Sequence, residues 1–375
     1  MQGLHDNYGI MTNSLSALTG VGYGRVSFII GVGAFLYGLM QPFMGMAALK
    51  KSNVFVMLLG LTMIVAGLLL TILSRNFIVL FLSFGIILPI GTTGIAFGIL
   101  MGAITPMIGE ERAAMVSGIV QASAGVGDAL LAPMMQRLIA GVGISWTLII
   151  FAMPFIAMVP VAIWIGRTIR KQDQVSGATE KTSTGFMKIF REAFADHDYR
   201  CILIGFSTCG FNMSIIEAHL FNQYASSGLP ESISSLTLTV YGVMTMLGAL
   251  ATGFLCTKFK MKNVLGTTYL MRVFISLAFI FVPITLPFAF VMTGFLGATG
   301  DSTVPPTSGT ITRKFGAARM AVLYGCALVG HQFGAFASAS LGGFFVESGM
   351  GYRPLWIVNL VLAAIAATAS YCIRE

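Results

Sequence analysis

Charged side chains are scarce in this 375-residue sequence. Asp, Glu, Lys and Arg together make up 10% of it, whereas a soluble globular domain carries roughly 25%. Hydrophobic residues account for 56% of the chain, and the mean hydropathy is +0.86. The composition therefore excludes an ordinary soluble protein and predicts an integral membrane protein that is surrounded by the lipid bilayer.

The patterns of several other protein classes are missing. The five cysteines show no metal-ligand spacing, so we expect them to pack as small apolar residues without disulfides. The sequence contains no recognisable catalytic triad, metal-ligand set or glycine loop between a strand and a helix. It therefore predicts neither an enzyme nor a protein with a metal or cofactor. The net charge of +8 comes from short basic clusters between apolar runs, which does not fit a nucleic-acid-binding face.

Apolar runs of about twenty residues, the length that crosses a bilayer, recur from end to end. They predict an all-α membrane protein with an N-terminal helical bundle over residues 1–166, a cytoplasmic linker over 167–200 and a C-terminal six-helix bundle over 201–375. We predict eleven spans: Ser27–Met46, Val54–Leu73, Phe77–Met101, Ala113–Ala140, Ile144–Gly166, Cys201–Tyr224, Ser232–Thr257, Val264–Val282, Pro287–Ile311, Met320–Val346 and Leu355–Cys372.

The basic residues predict the orientation of the chain. The linker carries seven of them, and most other Lys and Arg residues fall on its side when the spans alternate across the bilayer. By the positive-inside rule this side is cytoplasmic. The exceptions are Arg25, Arg75, Arg137 and Arg353 on the opposite side and Arg272 within a span. We expect a multi-pass protein of the cell's inner membrane with a cytoplasmic C-terminus.

The opening residues 1–24 are too polar for a complete span. The segment from Tyr8 to Leu18 is typical of the outer end of a helix that began earlier. We therefore expect that most of the first helix is missing, which would restore six helices to each half. The alternative is a protein of eleven spans whose N-terminus lies outside.

The order of spans around a basic central linker resembles the major facilitator superfamily. Gly45, Lys50 and Lys51 match part of its loop signature Gly-x-x-x-Asp-Arg-x-Gly, although Leu49 replaces the Asp. The segments 111–118 and 303–343 resemble the branch that holds monocarboxylate transporters and oxalate:formate antiporters. The resemblance implies the major facilitator fold, with two pseudo-symmetric six-helix bundles, most of the first helix missing and eleven full spans visible.

The resemblance also implies a monomeric secondary transporter that works by alternating access around a cavity near the midplane. Carboxylate carriers of this branch typically place an arginine four residues before a glycine on the second span of the C-terminal bundle. Aligned on Gly253, this chain has Ala249 at that position, and Thr245 where some relatives carry an acid. This departure weakens the transfer of any particular substrate.

Polar groups inside the spans are the candidate functional residues, because a charge at the bilayer centre costs roughly 2.5–3.5 kcal/mol. The span Cys201–Tyr224 carries Asn212, Glu217 and His219. Asn212 and Glu217 could share a polar stripe toward the central cavity, where Glu217 would take up a proton. The alternative is a structural carboxylate that a neighbouring helix holds.

The span Met320–Val346 carries the adjacent His331 and Gln332. His331 occupies the position where oxalate:formate relatives carry a substrate-facing lysine, so the resemblance implies an anion contact or a proton relay; the alternative is packing. Asp301 precedes Pro305 and Pro306, and prolines free backbone carbonyls that can line a cavity. A coupling or substrate role for Asp301 is therefore weighed against a structural one.

Two further charges lie in the predicted spans. Arg272 is expected to pair with a nearby acid such as Asp301 rather than to touch substrate. Asp128 follows Gly125 and Gly127, and small residues allow close helix approach. Asp128 could be a buried partner for another helix or a coupling carboxylate, and both alternatives stay open.

These observations predict a transporter of a small organic anion, such as a monocarboxylate, that is coupled to protons. Glu217 and Asp301 are the coupling candidates, and His331 is the anion contact. An efflux carrier of amphipathic compounds and a transport-inactive truncated membrane protein are the alternatives.

Overall fold

The computed structural model describes residues 8–176 and 186–374, and this part of the chain is helical without any strand. The prediction of an all-α protein is confirmed. The α-helices are α1 (Tyr8–Thr19), α2 (Tyr23–Lys50), α3 (Asn53–Ile72), α4 (Phe77–Leu80), α5 (Leu88–Thr93), α6 (Phe97–Ile108), α7 (Ala113–Ser176), α8 (Phe186–Ala195), α9 (His197–Ile215), α10 (Phe221–Ser226), α11 (Glu231–Lys258), α12 (Met261–Phe281), α13 (Leu286–Thr299), α14 (Val304–Phe315), α15 (Ala317–Glu347) and α16 (Arg353–Tyr371).

Short irregular helices join some of these segments. A π-helix over Phe81–Ile87 connects α4 to α5, and a second over Ile216–Leu220 connects α9 to α10. A 3₁₀ turn over Asp301–Thr303 lies between α13 and α14. The long α7 contains a kink at Gly143, whose φ of 79° places it in the left-handed region that favours glycine.

Nine helical segments in the described residues are long and apolar enough to cross a membrane. They include nine of the predicted spans but neither Ala113–Ala140 nor Pro287–Ile311. The second of these is interrupted at Gly300–Thr303, so each half is too short to qualify alone. The count of eleven spans stays a prediction.

The chain divides into two compact units. Unit 1 comprises residues 1–109, 127–186 and 317–325, and unit 2 comprises 110–126, 187–316 and 326–375. The predicted boundaries 1–166, 167–200 and 201–375 stay a prediction. Parts of the predicted linker are helical: α7 continues to Ser176, and α8 covers Phe186–Ala195.

Unit 1 has an apolar core in which α3 packs closely against α5. A Cβ at Gly94 would lie 2.6 Å from the carbonyl oxygen of Val56, and one at Gly91 would lie 2.8 Å from the backbone nitrogen of Ile64. Only glycine permits this separation of the helices. The close approach of α3 and α5 therefore depends on Gly91 and Gly94.

Unit 2 has a separate core built on Trp356. This side chain is fully buried, its ring stacks on Phe279 with 3.9 Å between centroids, and its Nε1 donates a 2.9 Å hydrogen bond to Oε1 of Gln223. A buried indole N–H needs such a partner. The contact joins α16 to α10, the short helix that follows the π-helix after α9.

At the other end of unit 2, acidic residues before and within α9 hold the end of α14. The Asp196 carboxylate accepts hydrogen bonds from the backbone nitrogens of Asp198 and Tyr199, which caps α9. Lys314 pairs with Asp198 and lies 2.9 Å from Oδ2 of Asp196. Burial by itself lowers the pKa of Lys314, but its hydrogen bonds to the two carboxylates outweigh that effect and raise the pKa.

Candidate functional site

The interruption between α13 and α14 places a carboxylate inside unit 2. Gly300 ends α13 with ψ of −89°, and the 3₁₀ turn that follows begins with Asp301. Asp301 is 9% exposed, and the two residues after it are buried completely or nearly so. The prolines at the start of α14 lack the N–H groups that would continue the hydrogen-bond ladder of α13. The sequence Asp301–Pro306 therefore forms a break in the helix rather than a continuous span.

Arg272 on α12 holds this break from one side. Its Nη2 donates hydrogen bonds to the carbonyl oxygens of Thr299 and Gly300, the latter at 2.8 Å. These carbonyls face the break, where they would otherwise lose their intrahelical partners. The guanidinium also lies over the Tyr269 ring, 5.3 Å from its centroid. Arg272 was expected to pair with an acid such as Asp301; the contacts seen here are to the backbone immediately before Asp301.

Gln121 on α7 holds the break from another side. Its Nε2 donates a 2.7 Å hydrogen bond to Oδ2 of Asp301, and Gln121 is itself 6% exposed. An amide N–H can bond either an ionised or a protonated carboxyl group, because both retain an acceptor oxygen. The pair can therefore persist while Asp301 gains or loses a proton.

The Asp301 turn is also in contact with α9. The Sγ of Cys209 lies 3.4 Å from Oγ1 of Thr303, and Cys209 is within electrostatic range of both Arg272 and His331. The His331 ring on α15 lies 5.3 Å from the Phe206 ring, and its Nδ1 is buried without a hydrogen-bond partner among the described residues. His331 therefore lies close to the helix break that contains Asp301.

The second π-helix contains Glu217 and His219. A π-helical turn widens the helix and is frequent at functional sites. Glu217 is exposed, whereas His219 is half-buried against Gly342 and 6.2 Å from the Tyr352 ring. The widened turn thus gives two titratable residues, two positions apart, different surroundings.

Tyr241 on α11 lies near both acidic residues. It is within electrostatic range of Glu217 and of Asp301. Its hydroxyl donates a 3.4 Å hydrogen bond to Sδ of Met213, and it would lie 3.1 Å from a Cβ placed on Gly300. We group Asp301, Gln121, Arg272, Tyr241 and Glu217 as the candidate site of unit 2.

Comparison with known proteins places the chain in a family. The sequence model of the Major Facilitator Superfamily matches residues 7–285, well over half of the chain. The chain belongs to the Major Facilitator Superfamily. It is therefore a multi-pass integral membrane protein of a transporter family rather than an enzyme.

Sequence relatives within the superfamily are distant. An uncharacterized MFS-type transporter of Bacillus subtilis, YcxA, is 24% identical over 190 residues, which are 49% of this chain and 45% of YcxA. The MFS transporter asaE of Aspergillus flavus is 22% identical over 239 residues, 64% of this chain and 52% of asaE. The chain thus spans about half the length of these relatives.

Solved structures of transporters match over nearly the whole chain. The fucose:proton symporter FucP of E. coli superposes with a TM-score of 0.77 at 12% identity, covering 100% of this chain and 97% of FucP. A bacterial homologue of the iron transporter ferroportin in an outward-facing state gives 0.77 at 13% identity, covering 98% and 95%. At these identities the likeness shows the fold alone. The branch of monocarboxylate and oxalate:formate carriers stays a prediction.

Ala249 stands where carboxylate carriers of that branch typically have an arginine. Ala249 is fully buried, and a Cβ on Gly118 of α7 would lie only 2.7 Å from its carbonyl oxygen. The backbones of α7 and α11 therefore meet beside Ala249. Thr245, the other substituted position, is buried and would lie 3.4 Å from a Cβ on Gly300.

Three further predicted site residues are not part of the candidate site. Asn212 is 1% exposed, and neither amide atom has a hydrogen-bond partner in the described part of the chain. It therefore does not share the exposed environment of Glu217. Gln332 is half-buried beside His331. The side chain of Asp128 lies outside the described residues, although its backbone belongs to α7.

Sequence reasoning missed Gln121, Tyr241 and Cys209. Gln121 and Asp301 are 180 residues apart, and glutamine and tyrosine in a span carry no charge that would mark them as costly to bury. The only available signal for Gln121 was its polarity in an otherwise apolar and small-residue stretch of α7. No local signal identified Tyr241.

Proposed function

We propose that the chain is a secondary active transporter that moves a small organic anion, such as a monocarboxylate, by symport with protons. We place it in the plasma membrane, which is the inner membrane of a bacterial cell, as a monomer with a cytoplasmic C-terminus. The observation that carries the proposal is the buried Asp301 carboxyl group at the break between α13 and α14, bonded to Gln121.

The geometry supports a proton site at Asp301. Its carboxylate is almost excluded from water, so its ionised form needs the Gln121 N–H and the positive charge of nearby Arg272. The ends of a discontinuous helix are suited to ions and substrates because their backbone groups are not all used within the helix. A change in the protonation of Asp301 would alter its hydrogen bond to Gln121 and its attraction to Arg272. This happens where α7 and α12 contact the break between α13 and α14.

Glu217 and His331 are the second proton site and the anion contact in this proposal. Glu217 is exposed on the π-helical turn, and Tyr241 lies in the vicinity of both Glu217 and Asp301. His331 would attract an anion when its ring is protonated. That FucP is described as a fucose:proton symporter supports proton coupling as a mechanism available to this fold.

Transport in proteoliposomes tests the proposal. A panel of radiolabelled small monocarboxylates is offered to vesicles with an imposed inward proton gradient, and uptake is compared with and without an ionophore that dissipates the gradient. We expect accumulation of at least one carboxylate that the ionophore abolishes. Uptake of amphipathic dyes with no uptake of any carboxylate would instead favour the efflux alternative, and no transport of either would contradict the proposal.

Variants then assign the coupling residues. Asp301→Asn and Glu217→Gln are expected to retain exchange of substrate across the membrane while losing accumulation driven by the proton gradient. Glu111→Gln, at an exposed acid outside the candidate site, is the matched control and should accumulate substrate normally. Normal proton-driven accumulation by Asp301→Asn or by Glu217→Gln would remove that residue's coupling role.

A further inference from the structure

The short helix α8 carries a surface that the transport proposal does not use. Its ten residues, Phe186–Ala195, end one residue before α9, which begins a candidate membrane span at His197. Only Asp196 separates the two helices. At 1.5 Å per residue, α8 is about 15 Å long. The whole helix therefore lies within about 15 Å of the membrane surface at which α9 enters.

One side of α8 is anchored to the protein. Ile189 is 0% exposed and Ala193 is 1% exposed, four residues apart on the same face. These two side chains fix the rotation of α8. The exposure of its other faces is therefore a property of the folded chain rather than of a helix that is free to turn.

A second side of α8 presents an exposed stripe of two apolar residues and a basic one. Met187 is 70% exposed and Phe194 is 47% exposed. Arg191, also exposed, lies between them at four residues from Met187 and three from Phe194. Residues at these spacings follow one face of an α-helix. The Phe194 ring is supported by Phe190, with 5.3 Å between the centroids.

This stripe has the composition of a helix that lies in a membrane interface. Such helices place apolar side chains at the boundary between headgroups and acyl chains, with Lys or Arg beside them. Arg191 is accompanied by the exposed Lys188, while Glu192 is about 140° around the helix from Met187. The basic residues can thus contact phospholipid phosphates without a carboxylate in the stripe.

We infer that the stripe Met187–Arg191–Phe194 is seated in the headgroup region of the surrounding bilayer and that Arg191 binds the phosphate of an anionic phospholipid. The covalent link to α9 favours the bilayer over a second protein, because it places the stripe at the membrane surface in every copy of the chain. The inference depends on membrane insertion and not on the transported substrate.

Fluorescence quenching in vesicles tests the position of the stripe. A bimane label is attached to Met187→Cys in a Cys372→Ser background, since Cys372 is the exposed native cysteine. The matched control carries the label at Glu192→Cys on the other side of α8. Quencher is supplied either on lipid acyl chains near the headgroup or as iodide in water. We expect lipid-borne quenching to dominate at Met187→Cys and iodide quenching to dominate at Glu192→Cys.

The lipid composition tests the role of Arg191. Vesicles of phosphatidylcholine are compared with vesicles in which part of it is replaced by phosphatidylglycerol. Because one basic residue near an anionic surface contributes about a fivefold factor in binding, Arg191→Gln should lower the phosphatidylglycerol-dependent part of the quenching about fivefold. Circular dichroism and gel filtration check that each variant is folded.

Three results would overturn the inference. The first is strong iodide quenching at Met187→Cys, which would mean that the stripe faces water. The second is protection from both quenchers that disappears on dilution of the protein in the vesicles, which would indicate a second copy. The third is quenching that does not change with phosphatidylglycerol content, which would exclude the anionic headgroup.

Discussion

Substitution of Gly118 by alanine is predicted to disturb the helix crossing that positions Gln121. A Cβ at Gly118 would lie 2.7 Å from the carbonyl oxygen of Ala249 and 2.9 Å from Cα of Gly253. Non-bonded carbon atoms prefer separations of about 3.5 Å. From the contact with Cα of Gly253, the backbones of α7 and α11 would have to separate by about 0.6 Å, because neither neighbour is a flexible side chain that can turn away.

The cost can be worked out from two opposing contributions. Overfilling a packed site typically destabilises a protein by about 1–3 kcal/mol. Replacement of glycine by alanine inside a helix returns about 1 kcal/mol. Since the obstruction at Gly118 is backbone on both sides, we take the upper part of the first range and expect a net loss of about 2 kcal/mol.

A matched control lies nine residues later on the same helix. Among the described residues, a Cβ at Gly127 would meet no atom within 4 Å, so Gly127→Ala should be neutral or stabilising by about 1 kcal/mol. Unfolding in detergent is followed with a thiol-reactive dye that reports the buried cysteines. We expect Gly118→Ala to melt several degrees below Gly127→Ala. Equal melting temperatures, or a higher one for Gly118→Ala, would refute the proposed close packing of α7 on α11.

Three further predictions concern unit 2 and use the same melting assay. Arg272→Met leaves two backbone carbonyls at the helix break without their donor and should destabilise by about 3 kcal/mol, and Arg272→Lys should have an intermediate effect. Unchanged stability of Arg272→Met would show that these hydrogen bonds do not stabilise the break. Gln223→Leu should cost about 1–3 kcal/mol by leaving Nε1 of Trp356 without a buried acceptor; a more stable variant would show that another acceptor is available. Lys314→Gln should destabilise at pH 7 because the buried Asp198 carboxylate loses its cation. Since the folded pKa of Lys314 is raised, its contribution should persist at lower pH and fade only above about pH 10.5, the ordinary value; fading below pH 9 would contradict the pairing.

The broad architecture was accessible from sequence because hydropathy and length dominate in a bilayer. Runs of about twenty apolar residues can only be helices when no water is present to satisfy the backbone. The prolines at 305 and 306 also acted locally, because a proline lacks the N–H group of a regular helix. They lie just after the 3₁₀ turn that interrupts the helix.

The candidate site was only partly accessible, because its contacts depend on pairs that are distant in sequence. Asp301 was identified by the cost of its charge, but its donor Gln121 is a neutral residue on a helix 180 positions earlier. Arg272 was identified by the same cost, but its partners are carbonyls that become available only once the helix is broken. Every residue has a backbone carbonyl, so the type of residue does not indicate which carbonyl will accept such a hydrogen bond.

Each of the two acidic coupling candidates lies in an irregular turn of unit 2. Glu217 lies in the π-helix and Asp301 begins the 3₁₀ turn, whereas regular α-helix surrounds both. Irregular backbone inside a membrane is tolerated only where its polar groups find partners within the protein. Before Asp301, Arg272 donates hydrogen bonds to the backbone carbonyls at the break. The guanidinium whose charge makes Arg272 costly to bury therefore also replaces the hydrogen bonds that the interrupted helix lacks. The acid, the arginine and the interruption therefore support one another, and loss of the arginine should affect the shape of the site as well as its charge.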